Sequence, residues 1–133
     1  MQTIQYRNHV EKLTRKVLDA SFRVHSFLGP GLLESTYEAC LKKDLENSGV
    51  TVNSQVERPI YYMGEKIDVG YRLDLLVEKV LIVEIKAVET VRPLHKAQLL
   101  SYLKLSSLHL GLLINFNTVS LKDGINRIIN GYI

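Results

Sequence analysis

The stretch 72–86 carries charged side chains inside two runs that otherwise consist mainly of Val, Leu and Ile. The polar pair Glu78-Lys79 separates the two runs, a pattern that predicts a β-hairpin. Because side chains alternate between faces along a strand, we expect Glu84 and Lys86 on one face, ~6.6 Å apart. A charge in a buried strand costs several kcal/mol unless it is paired or binds a ligand. This pair is therefore the first candidate for chemistry.

Asp74, on the preceding strand, joins that pair only in one register of the hairpin. A loop made of residues 78–79 alone would place Asp74 opposite Val83, on the wrong face. A loop of odd length, such as 78–80, or a bulge near Asp74 would place it opposite Glu84. Two carboxylates beside one ammonium group would suit a hard divalent cation. The alternative is a salt-bridge cluster of the same three side chains that binds nothing.

Asp74 and the later triplet Glu84-Ile85-Lys86 resemble the signature of the PD-(D/E)XK nuclease superfamily, with Leu73 where the Pro of that name would stand. The resemblance implies a restriction-endonuclease-like core and hydrolysis of nucleic-acid phosphodiester bonds, in DNA rather than RNA. It also implies that Asp74, Glu84 and the Ile85 carbonyl hold one or two Mg²⁺ ions, for which Mn²⁺ would substitute. Lys86 would complete the catalytic set by orienting water or offsetting charge on phosphorus.

A second block, Gly31 to Tyr37, matches the Gly-x-x-Glu-x-x-Tyr string of the small proteins named GxxExxY. By residue chemistry alone, Glu34 is a first-turn glutamate that the helix dipole favours, and Tyr37 is a core aromatic. The resemblance implies instead that Glu34 is a further metal ligand, directly or through water. It also implies that Tyr37 contacts the substrate.

A third block follows Pro93, where His95, Gln98 and Tyr102 lie three and four residues apart and form a polar stripe on a helix. A solvated face would explain such a stripe. The spacing also resembles the Gln-x-x-x-Tyr motif that follows Glu-x-Lys in RecB-like nucleases. That resemblance implies a catalytic role for Gln98 near Lys86, and substrate contacts for His95 and Tyr102.

Arg72 lies two residues before Asp74 and shares its face. It could clamp a substrate phosphate with two hydrogen bonds, or it could pair with Asp74 or Glu57, which is the simpler expectation. The remaining histidines have no acidic partners in the sequence and are interpreted as structural or surface residues: His9, His25 and His109.

Two amphipathic helices are expected to precede these strands. Apolar residues recur at three-and-four spacing over 8–28, and a second helix is predicted over 32–48. Gly29-Pro30-Gly31 separates them, so the two should form a helical hairpin with almost no linker.

The other predicted elements form a mixed sheet of about four strands. Strands are expected at 52–62, where Pro59 favours a sheet edge, at 66–77 with a bend or bulge at Gly70, and at 80–88 and 108–116. The last two should be parallel, because a helix over 93–107 connects them. The tail 121–133 is either a last strand or a helix. We therefore predict an α/β fold, with the helical hairpin on one side of the sheet and the third helix on the other.

Composition is that of one ordinary globular domain, 1–133, with 46% hydrophobic and 23% charged residues. No apolar run reaches the roughly 18 to 20 residues that span a bilayer, and no signal-peptide core is visible, so we expect a cytoplasmic protein without membrane contact. The single cysteine, Cys40, excludes an internal disulfide. A net charge of +3 permits a polyanionic partner without requiring one.

Two other functions remain open from the sequence. The chain could be a catalytically silent module that binds nucleic acid or protein on the nuclease fold, or a structural partner subunit. A nuclease of this size has no room for a separate DNA-recognition domain. A homodimer or a targeting protein partner is therefore expected in addition to the nucleic acid.

Overall fold

The computed structural model describes residues 4–131, which form three α-helices and a five-stranded mixed sheet. This confirms the predicted α/β class and adds a fifth strand. In chain order the elements are α1 (Ile4–Leu28), α2 (Glu34–Asn47), β1 (Val52–Tyr62), β2 (Glu65–Val77), β3 (Leu81–Lys86), α3 (Pro93–Ser106), β4 (Leu110–Asn115), a short 3-10 helix (Leu121–Gly124) and β5 (Ile125–Ile129).

The helices cover both faces of the sheet. The apolar stripes of α1 and α2 pack on one face, and α3 packs on the other through Leu99 and Leu103. This is the predicted arrangement, and it follows from the three-and-four spacing of the apolar residues, which gives each helix one buried stripe. Within residues 4–131, none of these helices has the length and apolar character needed to cross a membrane.

The sheet has the strand order β1-β2-β3-β4-β5. β3 and β4 are parallel, as predicted from the α3 crossover, and the other neighbouring pairs are antiparallel. α3 lies close to β4 at Gly111, where an added Cβ would come within 2.9 Å of Leu99 Cδ1. The tail 121–133, which the sequence left undecided, begins with the 3-10 helix and continues as β5, whose main chain pairs with β4; its last two residues lie outside the described range.

The β2–β3 hairpin has a loop of odd length. Val77 pairs with Leu81, so residues 78–80 form the turn, and its first two residues adopt left-handed backbone angles of 49° and 62° in φ. This register confirms the prediction that Asp74 lies opposite Glu84 across the two strands.

β1 and β2 continue well beyond β3 as a two-stranded ribbon, residues 57–72, which we call the arm. Residues 61–70, around its tip, are all exposed. The β1–β2 register shifts between Arg58 and Ile60, which leaves extra residues on β2 next to Gly70. A Cβ at Gly70 would lie 1.9 Å from the Arg58 carbonyl oxygen, so only glycine fits this bulge.

Candidate active site

Asp74 and Glu84 lie where the main-chain pairing of β2 with β3 ends, one step beyond the Leu75–Val83 pair. The Asp74 N–H donates to Glu84 Oε2 over 2.8 Å, and the Ile85 N–H donates to Asp74 Oδ2 over 2.9 Å. Each carboxylate thus accepts a hydrogen bond from the backbone of the opposite strand. We call Asp74 and Glu84 the acidic pair.

β2 is locally distorted next to Asp74. Leu73 and Leu76 pack under α3, whereas Leu75 packs under α1 and α2. Strict alternation would place Leu73 with Leu75, so the alternation breaks at Asp74. The facing position on β1 is Gln55, whose φ of 52° is left-handed, so both strands are irregular at the same level of the sheet.

Glu84 is 4% exposed, which makes its charge costly. Burial, and after it the negative charge of Asp74, raises the pKa of Glu84 to about 8. The hydrogen bond from the Asp74 N–H and the positive charge of Lys86 lower the pKa in part. Without a bound cation, Glu84 is therefore mostly protonated near neutral pH.

An open cleft of about 700 Å³ lies over the acidic pair, between the arm and α3. Six residues that the sequence singled out line it: Arg72, Asp74, Glu84, Lys86, Gln98 and Tyr102. They come from β2, β3 and α3, and so the fold brings together residues that are up to 30 positions apart in the sequence.

The residues of the cleft do not neutralise one another as ion pairs. Two salt bridges occur in the described part of the chain, Arg23–Asp44 and Arg127–Glu11. Neither includes Lys86 or the acidic pair. The salt-bridge cluster that the sequence allowed is therefore not formed among residues 4–131.

Tyr102 forms the α3 wall of the cleft and is held by a second tyrosine. Its ring stacks on that of Tyr71 with 5.2 Å between the centroids, and the Tyr71 hydroxyl hydrogen-bonds to Ser106 Oγ over 2.8 Å. Burial, followed by the charges of Glu84 and Asp74, raises the pKa of Tyr102, so its hydroxyl keeps its proton and can donate a hydrogen bond.

The sequence between residues 11 and 128 matches the family model described as the PD-(D/E)XK nuclease superfamily. The chain belongs to this superfamily. A solved structure titled "Crystal structure of SSO0001" is similar, with a TM-score of 0.53 and 23% identity over 96% of this chain and 63% of that one. At that identity the likeness shows a shared fold, with this chain spanning less than two thirds of the other. No curated protein matches the sequence.

In this PD-(D/E)XK chain, three of the predicted site residues lie away from the cleft. Tyr37 is fully buried on the other face of the sheet, where it stacks on Phe116 with 4.6 Å between the ring centroids. Its hydroxyl donates to the Gly29 carbonyl and accepts from the Leu32 N–H. Substrate contact by Tyr37 is therefore corrected to a structural role.

His95 and Glu34 are the other two predicted site residues that lie away from the cleft. His95 Nδ1 accepts a hydrogen bond from the Arg92 N–H over 3.0 Å, which fixes the start of α3. Glu34 Oε2 accepts a hydrogen bond from the Ala87 N–H over 3.2 Å, just beyond the end of β3. Neither side chain lines the cleft, whereas Gln98 does.

Glu38 and Gln55 are near the acidic pair, and the sequence reasoning missed both. Gln55 Nε2 donates to Glu38 Oε1 over 2.7 Å and to Asp74 Oδ1 over 3.5 Å. Burial, then the charge of Asp74, raises the pKa of Glu38 against the hydrogen bond from Gln55. One signal could have identified Glu38: it lies four residues after Glu34, on the same helix face.

The donor set of the acidic pair fits a divalent cation. Glu84 is buried with no cationic partner in ion-pair contact among residues 4–131, and a bound cation would favour its charged form. Within that part of the chain, no three His, Cys, Asp or Glu side chains converge on one point. Mg²⁺ takes one or two carboxylates and completes its shell with water and phosphate oxygens, so two carboxylates suffice for it.

Proposed function

We propose that this protein hydrolyses phosphodiester bonds of nucleic acid, with DNA as its substrate, in a reaction that depends on Mg²⁺ or Mn²⁺. The observation that carries the proposal is the acidic pair: two carboxylates fixed by backbone hydrogen bonds at the floor of an open cleft, with no ion-pair partner among residues 4–131. Membership of the PD-(D/E)XK superfamily supports it.

The acidic pair and two residues of β3 have separate parts in the proposed reaction. Asp74 and Glu84 hold the cation, with the Ile85 carbonyl as a further ligand. A bound Mg²⁺ supplies polarisation of the scissile phosphate and a lowered pKa for the attacking water. Lys86 orients that water or offsets charge on phosphorus, a contribution on the order of 3 kcal/mol to the barrier.

Side chains at the rim of the cleft are proposed to hold the substrate. Gln98 lies on α3 and carries an amide group that can donate to a phosphate oxygen. Tyr102 can do the same through its protonated hydroxyl. Arg72 is directly opposite Glu57 across β1 and β2 but forms no salt bridge among residues 4–131, so its guanidinium is available for a phosphate.

The direct test is cleavage of supercoiled plasmid, single-stranded DNA, duplex DNA and RNA by purified protein with Mg²⁺ or Mn²⁺, and with EDTA as the metal-free control. Asp74→Asn and Lys86→Met should abolish cleavage. Glu46→Gln and Lys12→Met change exposed charges of the same types far from the cleft and should leave cleavage unchanged. Metal-independent cleavage, or equal cleavage by all four variants, would contradict the proposal.

The two-carboxylate site also favours a second candidate function. Since no third acidic, His or Cys ligand converges on the acidic pair within residues 4–131, the cation would depend on a substrate phosphate to complete its shell, and a nucleic acid held out of reach of the pair would leave the site without metal. The protein would then be a catalytically silent module that binds nucleic acid or a protein partner. Binding of nucleic acid without cleavage at any Mg²⁺ or Mn²⁺ concentration would select this function.

The finer assignments are proposals of the same kind. The GxxExxY string at 31–37 and the Gln98/Tyr102 spacing support a place among the GxxExxY proteins and a RecB-like arrangement. We further propose a single nuclease domain over 1–133, a cytoplasmic location, and a homodimer or a targeting protein as partner. Light scattering of the purified protein tests the homodimer.

A further inference from the structure

The tip of the arm presents large aromatic and apolar side chains to solvent. Tyr61 and Tyr62 are each 66% exposed, and Met63 is 86% exposed. Side chains of this size gain nothing from lying in water, and a cluster of them on a projecting ribbon marks a binding surface. The register of the arm and its charges indicate which face binds and what kind of ligand it binds.

The register of the arm assigns its two tyrosines to opposite faces. Tyr61 is the cross-strand partner of Lys66, and Tyr62 is the partner of Glu65. Cross-strand partners share a face, and successive residues alternate. On the face that Tyr61 shares with Lys66, the cross-strand pair Glu57 and Arg72 also lines the cleft, whereas Glu65 does not; Tyr61 itself is not among the lining residues. Tyr61 therefore lies on the cleft side of the arm, and Tyr62 lies on the outer side.

Outside the acidic pair, the cleft carries more cationic than anionic side chains. Arg58, the cross-strand partner of Tyr71, reaches the cleft from the other face of the arm, next to the bulge; its Nε is, among residues 4–131, the one buried side-chain nitrogen or oxygen without a hydrogen-bond partner. A buried polar atom of this kind is satisfied when a ligand supplies an acceptor. Outside the acidic pair, four cations face two anions in the cleft: Arg58, Lys66, Arg72 and Lys86 against Glu57 and Asp68.

The distance along the arm from the acidic pair to Tyr61 fits a short stretch of polynucleotide. Tyr61 is six residues along β1 from Gln55, which faces Asp74. Six residues of antiparallel strand span ~20 Å, which corresponds to about six stacked nucleotides of one strand. A strand with its scissile phosphate at the acidic pair would thus reach the ring of Tyr61.

We propose that the cleft side of the arm binds an unpaired strand of nucleic acid and that Tyr61 stacks on one of its bases. Cations that follow the phosphates, with an aromatic ring for the bases, are the two components of single-strand binding. In a duplex the base faces are covered by neighbouring base pairs, so a duplex cannot use this ring in the same way. The inference rests on the proposed nuclease function and narrows its substrate to single strands, flaps or frayed ends.

The test is fluorescence anisotropy in EDTA, where binding is measured without cleavage. The probes are a labelled single strand of about twelve nucleotides, twice the ~6-nucleotide span, a strand of about three, and a duplex. Tyr61→Ala should weaken binding of the longer strand by about 5- to 150-fold, the range for loss of one stacked base. Tyr61→Phe keeps the ring and should bind like wild type. Tyr62→Ala is the matched control, of equal exposure on the outer face, and should also bind like wild type.

Two further readouts separate stacking from other roles of the arm. Tyr61→Ala should leave binding of the three-nucleotide strand and of the duplex unchanged, since neither offers a base to the ring. Lys66→Gln should weaken binding of the longer strand and reduce the slope of log affinity against log salt by about one unit.

Equal affinities of wild type and Tyr61→Ala for the longer strand would overturn the inference. So would a loss of affinity in Tyr62→Ala as large as that in Tyr61→Ala, or a loss in Tyr61→Ala that is as large for the duplex as for the longer strand. A wild-type dimer that Tyr61→Ala dissociates would overturn it in favour of a contact between copies of the chain. If wild type cleaves DNA while Tyr61→Ala binds normally, this inference alone fails. If wild type binds no nucleic acid, the proposed function fails with it.

Discussion

Replacing Glu84 with Gln should stabilise the metal-free protein, and the gain should depend on pH. Gln has nearly the same shape and can still accept the hydrogen bond from the Asp74 N–H, but it carries no charge into the buried site. Burial and the charge of Asp74 raise the pKa of Glu84 to about 8 in the folded chain. In the unfolded chain a glutamate titrates near ~4.3.

The direction of the pH dependence of stability follows from the difference between the folded and unfolded pKa values of Glu84. Below pH ~4.3 the carboxyl is neutral in both states and costs nothing. As pH rises from ~4.3 towards the folded pKa of about 8, the unfolded chain ionises while the folded chain resists, so wild type loses stability across this window. The loss is ~1 kcal/mol at pH 5, ~4 kcal/mol at pH 7, and levels off near ~5 kcal/mol above pH 8. Glu84→Gln has no such loss.

Urea unfolding of both proteins in EDTA at pH 5, 7 and 8.5 measures the difference in free energy of unfolding. The advantage of Glu84→Gln should widen by ~3 kcal/mol between pH 5 and 7. Glu46→Gln, an exposed change on α2, should show no such trend. The rise in melting temperature that Mg²⁺ gives wild type should shrink sharply in Glu84→Gln. Destabilisation of the metal-free variant by several kcal/mol, with an unchanged Mg²⁺ response, would mean that the acidic pair belongs to a structural ionic network.

Three further outcomes are expected. Lys86→Met should abolish cleavage and leave Mg²⁺ affinity, measured by calorimetry, equal or higher, because a like charge beside the cation is gone; weaker Mg²⁺ binding would contradict this. Tyr37→Phe loses two partly buried hydrogen bonds to the main chain and should cost ~1–3 kcal/mol in urea unfolding without changing nucleic-acid affinity; a lost affinity would restore the substrate role. Gly111→Ala should cost ~1–3 kcal/mol because its Cβ meets Leu99 at 2.9 Å, and an unchanged midpoint would show that Leu99 moves freely.

The site residues that the sequence located best are those whose position depends on neighbours in the chain. The alternation along β3 places Glu84 and Lys86 together, and the hairpin turn left two registers for Asp74, of which the structure adopts the odd-length one. Periodicity likewise gave the helices and the crossover. These features depend on contacts within a few residues, and local patterns carry that information.

The features that the sequence did not predict depend on contacts between distant segments of the chain. Gln55 links Glu38 to Asp74 through its side-chain amide. Gln55 lies on β1, and its left-handed backbone conformation leaves no mark in the sequence pattern. Tyr37 was assigned to the substrate from a motif string, and its burial depends on Phe116, 79 positions away. The tail could not be decided because its isoleucines suit either element, and pairing with β4 selects the strand.

The crossed hydrogen bonds of the acidic pair turn two main-chain protons into sensors of the site. The amide protons of Asp74 and Ile85 are protected only while the opposite carboxylate accepts them. If a carboxylate turns towards a cation, its amide partner opens to solvent and exchanges faster; if it binds the cation through its other oxygen, exchange slows. Hydrogen exchange at these two amides, followed through a Mg²⁺ titration, therefore reports how each carboxylate engages an ion, even in a variant that cuts nothing.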